Sequence, residues 1–170
     1  MDVVATTTQI CDYAKEIAKD NVKLTCLLAP NASAQDHEMT PKQMNALSKA
    51  KLFMVNGVDL EHFLDSAVDA SGFKGTMVVT SGILTANEVK DSSAAAKNDK
   101  DKPYTVDRGD QKVNVALWPF APEPGEQPEF EYDPHVWTSP KNAKVQVHNI
   151  GKALELSLIH ISEPTRPLYI

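Results

Sequence analysis

Apolar and polar positions along this chain switch repeatedly between two periods. Val3-Val4-Ala5-Thr6-Thr7-Thr8 is an unbroken β-branched and apolar run, the pattern of a strand buried on both faces. From Gln9 to Lys19 the spacing becomes helical, with Ile10, Tyr13, Ala14 and Ile17 on one stripe. Val22 to Leu28 predicts a second strand, closed by Pro30-Asn31. Thr40-Pro41 predicts a helix start, with Thr40 as N-cap, Pro41 in the first turn, and Met44, Leu47 and Ala50 as its apolar stripe. Leu52 to Val55 predicts a short buried strand that ends at Asn56-Gly57. A helix from about Leu60 to Ala70, stopping before Gly72, and a fourth strand from Thr76 to Thr80 complete the regular part.

Strands that alternate with helices of this length imply βαβ units and an α/β fold with a parallel sheet. In such sheets ligands bind at the carboxyl ends of the strands, which here points to the loops Thr6–Gln9, Pro30–Met39 and Asn56–Leu60. Between Asn87 and Glu131 the pattern dissolves into Lys, Asp, Pro and Gly. Residues 87–131 therefore read as a long loop, with the strand-like Val113 to Leu117 as material for a hairpin. Asp133-Pro134-His135-Val136-Trp137 stands at a boundary. Ser139-Pro140 then opens a helix with Ala143, Val147, Ile150, Ala153 and Leu154 as its apolar stripe. After Leu156 the character changes: Ser157 to Pro167 is expected to continue neither helix nor strand. It resembles a translated sequencing-adapter sequence, so residues 157–170 are read as a non-native tail. The expected organisation is a lobe over 1–139, the start of a connecting helix over 140–156, and that tail.

Composition narrows the function classes. With 170 residues, 42% of them hydrophobic and 24% charged, the chain fills one globular unit. The net charge of -6 argues against nucleic acid, which needs a basic face. No apolar run is long enough to span a membrane. No leader precedes Met1-Asp2-Val3-Val4; read alone this implies a cytoplasmic chain, although a chain lacking its leader would open in the same way. The two cysteines, Cys11 and Cys26, read first as separate buried apolar side chains, with a bridge or a thiolate metal site as the alternatives.

Five segments together resemble one family, the metal-specific solute-binding proteins of ABC importers. They are Val3-Val4-Ala5-Thr6-Thr7-Thr8-Gln9-Ile10, Leu27-Leu28-Ala29-Pro30, Thr40-Pro41, Asn56-Gly57-Val58-Asp59-Leu60-Glu61 and Asp133-Pro134-His135-Val136-Trp137. The resemblance covers residues 3 to 156. It implies the N-terminal lobe of a two-lobed, periplasmic-binding-protein-like fold, with two metal ligands from each lobe and a connecting helix between them.

On that resemblance His135 takes one ligand position, since its motif matches residue for residue. Neutral imidazole suits zinc or manganese, and Asp133 could accept from its other ring nitrogen. The other position falls in Gln35-Asp36-His37-Glu38-Met39-Thr40-Pro41. Aligned on Glu38 and Thr40-Pro41, the ligand is Gln35; aligned on the histidine, it is His37. His37 is preferred because Gln is a poor zinc ligand, with Asp36 or Glu38 as substitutes. His62 and His148 read as solvated helix residues, and His160 falls in the tail.

The function implied by the resemblance is capture of zinc or manganese and delivery to an ABC importer permease. The implied protein is a monomer, periplasmic or cell-surface in its full-length form, with any membrane anchor absent from this chain. An adhesin-type role is the first alternative. A small metallohydrolase built on His37 and His135 is the second, and no His-Glu-x-x-His helix, Gly-x-Ser-x-Gly elbow or phosphate loop supports an enzyme.

Overall fold

The structure, a computed structural model, describes residues 1–162, with side chains through Ile159. Five parallel strands form one sheet: β1 (Asp2–Ala5), β2 (Lys23–Cys26), β3 (Leu52–Val55), β4 (Thr76–Val79) and β5 (Thr105–Asp107), in the order β2-β1-β3-β4-β5. The interior strands are apolar at successive positions because both faces are covered. Val3, Ala5, Leu52, Met54 and Val78 face α1 (Thr8–Ala18) and α6 (Pro140–Ser162). Val4, Phe53, Val55, Met77 and Val79 face α2 (Pro41–Lys49) and α3 (Leu64–Ser71).

The expected helix starts hold where a side chain fixes them. Thr40 accepts from the Gln43 N–H at 3.2 Å while Gln43 Oε1 accepts from the Thr40 N–H at 3.1 Å, a reciprocal box that satisfies two otherwise unpaired donors. Thr7 does the same singly for α1, accepting from the Ile10 N–H at 3.2 Å. The helix expected from Leu60 begins only at Leu64, because the preceding residues form a tight left-handed turn.

Three expectations change. The stretch 87–131 is not one long loop: it holds α4 (Asn87–Lys90), α5 (Ala94–Asp99) and the fifth strand. Arg108, just past β5, ties them together, donating from Nε to Glu88 Oε1 at 2.7 Å and from Nη2 to Asp99 Oδ1 at 2.9 Å. Val113 to Leu117 forms no strand of the sheet; Leu117 makes a single antiparallel bridge with Tyr132. The cysteines are not separate apolar side chains. Cys11 in the first turns of α1 and Cys26 at the end of β2 form a disulfide, because α1 packs back along the sheet edge and brings their Cα atoms to 5.8 Å.

The late helix also departs from its expected face. Ile150, Ala153 and Leu154 are buried as the stripe predicts, but Val147 is exposed, and Asn142, Gln146 and Asn149 are buried instead. These amides answer polar groups at the strand ends. Gln146 Nε2 donates to Asn56 Oδ1 at 2.9 Å and Thr80 Oγ1 at 3.0 Å. Asn149 Nδ2 donates to the Thr80 and Gln111 carbonyls, both at 2.9 Å. Gly109 is required beside Asn149: its φ is +67°, and a Cβ there would stand 2.3 Å from Asn149 Oδ1. The helix continues past Leu156 to Ser162, since no proline or glycine interrupts it before Pro164. The His160 side chain and residues 163–170, the rest of the expected tail, lie outside the described residues.

Candidate metal centre

The order β2-β1-β3 places a switch point at β1, where successive connections leave toward opposite faces of the sheet. The loops after β1, β2 and β3 diverge there and enclose a cavity of about 340 Å³. Thr8, Gln35, Leu60, His135 and Trp137 all line it. A larger cavity of about 410 Å³ lies between β2 and α2, with Lys23, Lys42 and Lys49 around it. Those ammonium groups disfavour a cation.

Glu61 builds the floor of this switch point. It is buried, and it accepts from Thr6 Oγ1 at 2.6 Å, from the Asn56 N–H at 2.7 Å and from the Gly57 N–H at 3.1 Å. Burial pushes its carboxyl above the usual range, against the pull of those three hydrogen bonds. One carboxylate thereby joins the loops that follow β1 and β3. The loop after β3 then turns left-handed at three successive residues, Gly57 (φ 82°), Val58 (φ 53°) and Asp59 (φ 56°). That conformation is strained for a β-branched valine and is held by Val58 N–H donating to the Ile83 carbonyl at 2.8 Å. A Cβ on Gly57 would stand 2.1 Å from the same carbonyl.

His135 enters the cavity from the 133–139 connection. Asp133 Oδ1 accepts from the His135 N–H at 3.0 Å and pairs with its ring Nδ1 at 2.7 Å. A carboxylate can only accept, so Nδ1 donates, and in the neutral ring the lone pair stands on Nε2. The preceding peptide is fixed too, since Asn56 Nδ2 donates to the Pro134 carbonyl at 2.9 Å. Trp137 stands edge-on to the imidazole, with ring centroids 5.3 Å apart. Such an acceptor, oriented by a carboxylate on its far nitrogen, is the usual form of a metal-binding histidine.

The other expected donors are not gathered as closely. His37 packs edge-on against Phe63 at 5.1 Å, and its Nε2 lies 3.1 Å from Gln43 Oε1. An amide oxygen only accepts, so His37 Nε2 is the donor, and in the neutral ring the lone pair lies on Nδ1. Gln35, the alternative at the same ligand position, shares the cavity with His135. Asp36 and Glu38 are exposed. Among the described residues no group of three or more His, Cys, Asp or Glu side chains could hold a metal ion. His62 is exposed as expected, whereas His148 pairs through Nε2 with Asp110 Oδ1 at 2.7 Å. Sequence reasoning placed the Asn56–Leu60 loop at the site but missed the role of Glu61, the residue that follows it. Thr6 and Glu61 are far apart along the chain, and only the parallel pairing of β1 with β3 brings them together.

A switch-point cleft fed by loops from three adjacent strands, with an oriented imidazole at its rim, defines an α/β ligand-binding lobe. Residues 3–157 match the family described as zinc-uptake complex component A, periplasmic, and the chain belongs to that family. It is 28% identical over 152 residues to the iron-binding protein YfeA of Yersinia pestis, covering 89% of this chain and 38% of YfeA. It is also 28% identical over 154 residues to the manganese ABC transporter substrate-binding lipoprotein ScaA of Streptococcus gordonii, covering 91% of this chain and 41% of ScaA. The crystal structure of the metal-dependent lipoprotein YcdH of Bacillus subtilis superposes with a TM-score of 0.58 at 22% identity. That superposition covers 95% of this chain and 46% of YcdH, which identifies the fold as one lobe. The chain thus spans about two fifths of the length of these curated relatives.

Proposed function

We propose that this lobe supplies half of a binding site for a divalent transition metal, zinc or manganese, which the complete protein hands to an ABC importer permease. The observation that carries the reading is the His135–Asp133 pair: a ring at the switch-point cavity with Nδ1 committed to a carboxylate. Neutral imidazole ligates either metal, and a hard oxygen donor beside it favours manganese while a second imidazole favours zinc. His37 is the second donor of this reading, binding through Nδ1, with Asp36 or Glu38 able to substitute. A second reading, favoured by the shared cavity, gives that position to the carboxamide oxygen of Gln35.

The compartment and assembly belong to the same proposal. A disulfide between Cys11 and Cys26 persists outside the reducing cytosol, in agreement with a periplasmic or surface protein. Among the described residues no helix is long and apolar enough to cross a membrane. The protein is taken to act as a monomer. The family is described by zinc uptake, and the relatives above by iron binding and by manganese ABC transport, which supports the metal-capture reading.

Calorimetric titration of the 170-residue chain with zinc and with manganese tests the site. Binding is expected to disappear in His135→Ala. Loss in His37→Ala as well supports the two-histidine set, and loss in Gln35→Ala with retention in His37→Ala supports the second reading. Binding that survives His135→Ala removes the basis of the proposal.

A further inference from the structure

His135 is enclosed by more than its own motif. The indole of Trp118 lies over the imidazole with ring centroids 5.8 Å apart and planes 29° from parallel. Phe130 meets the same ring edge-on, at 6.1 Å and 89°. Trp118 is the face contact, while Phe130 and Trp137 are edge contacts. Trp118 is itself buttressed by Phe130 at 4.9 Å and Phe120 at 5.1 Å. Its backbone is pinned, since the Trp118 N–H donates to the Glu131 carbonyl at 3.1 Å and the Asp133 N–H to the Ala116 carbonyl at 2.8 Å. The paired segments 116–118 and 131–133 thus carry the indole and Asp133 to two different sides of one imidazole.

Trp118 is not among the buried core residues. It is half-buried, none of the three apolar core clusters contains it, and Phe120 beyond it is 67% exposed. Its contacts go instead to the candidate metal donor and to that donor's neighbour Phe130. The torsion that rolls an imidazole about its Cβ–Cγ bond is broad, so one hydrogen bond at Nδ1 leaves ring rotation loosely constrained. An aromatic face laid against the ring closes that freedom. It also favours the metal-bound state, because coordination draws electron density from the imidazole and the indole face attracts an electron-poor ring.

We propose that Trp118 is a positioning residue for metal capture: its indole holds the His135 ring with Nε2 ready for a divalent transition metal and stabilises the ring once it is coordinated. The inference rests on His135 being a ligand. It assigns the stretch between β5 and the Asp133–Trp137 motif a part in the site.

The test is a zinc chloride titration of the 170-residue chain, followed by NMR on the ring resonances of His135. Trp118→Leu is expected to raise the dissociation constant about tenfold, the low end of what loss of an outer-shell partner costs. It should also broaden the His135 ring signals, whereas Trp118→Phe, which keeps an aromatic face, should recover most of both effects. An amide spectrum reports whether Trp118→Leu keeps its fold. Should it not, Phe120→Ser removes the exposed buttress without touching the core, and it is expected to weaken zinc binding in the same direction. Zinc binding unchanged in Trp118→Leu and Phe120→Ser, while His135→Ala abolishes it, overturns the positioning role alone. A parent chain whose His135 signals ignore zinc, or a His135→Ala variant that binds like the parent, overturns the site itself.

Discussion

Glu61 shows how much of this cleft depends on one buried residue that braces its loops. Its carboxylate receives one hydroxyl and two backbone donors from two different loops. Glu61→Gln keeps the shape but places an NH₂ where a backbone donor must be answered, so a stability loss of about 1–3 kcal/mol is expected in urea unfolding. Glu88 gives the residue scale its pH dependence. Burial opposes its ionisation, but hydrogen bonds from Arg108 and Asn98 and the Arg108 charge outweigh burial and hold its pKa below the usual value of 4.5. A carboxylate lowered on folding stabilises the native state above its unfolded pKa, and that contribution fades as pH falls through the lowered value. Acid unfolding of the parent chain should therefore lose stability below about pH 4.5, and Glu88→Gln should flatten that limb and lower the plateau above it. At this scale the placement of His135 beside the switch-point cavity was legible, because a five-residue motif singles it out. Which of Gln35 and His37 shares that cavity was not, because they are two residues apart and only the loop's path decides it.

Elements were legible where one local rule fixed them. Thr40-Pro41 carried both the cap and the first-turn proline of α2, and Leu52 to Val55 showed its burial as an unbroken apolar run. The elements that were missed are short and held from outside. The four residues of α4, the six of α5 and the three of β5 offer too few positions for any period to show. Arg108 and the edge of β4 hold them in place. The amide face of α6 was hidden for the opposite reason. Asn142, Gln146 and Asn149 look solvated in sequence, yet they are buried because strand ends and the 111–114 backbone need partners. The disulfide is also an element-scale feature, fastening α1 to the edge strand β2 across 15 residues. Reduction, or Cys11→Ser with Cys26→Ser, is expected to cost about 3 kcal/mol by loop-entropy reasoning, read as a fall in Tm with and without dithiothreitol.

As a whole, the molecule is a parallel sheet covered on both faces, with its chemistry displaced to one edge of the strand ends. The general plan followed from alternating periods and the switch-point rule, and the resemblance supplied the cargo. Because no described cluster offers three or more ligating side chains, the lobe's own affinity is expected to be weak, and tight stoichiometric zinc binding by this chain would contradict the half-site reading. The late helix adds a mechanical consequence. Gln146 grips Asn56, Asn56 grips the Pro134 carbonyl, and the next residue is His135. With Asn142 and Asn149 clamped to neighbouring carbonyls, this part of α6 behaves as a keyed shaft and not as a hinge. A displacement of this stretch would reach the His135 ring with little slack, so on the proposed reading it would also disturb the half-site.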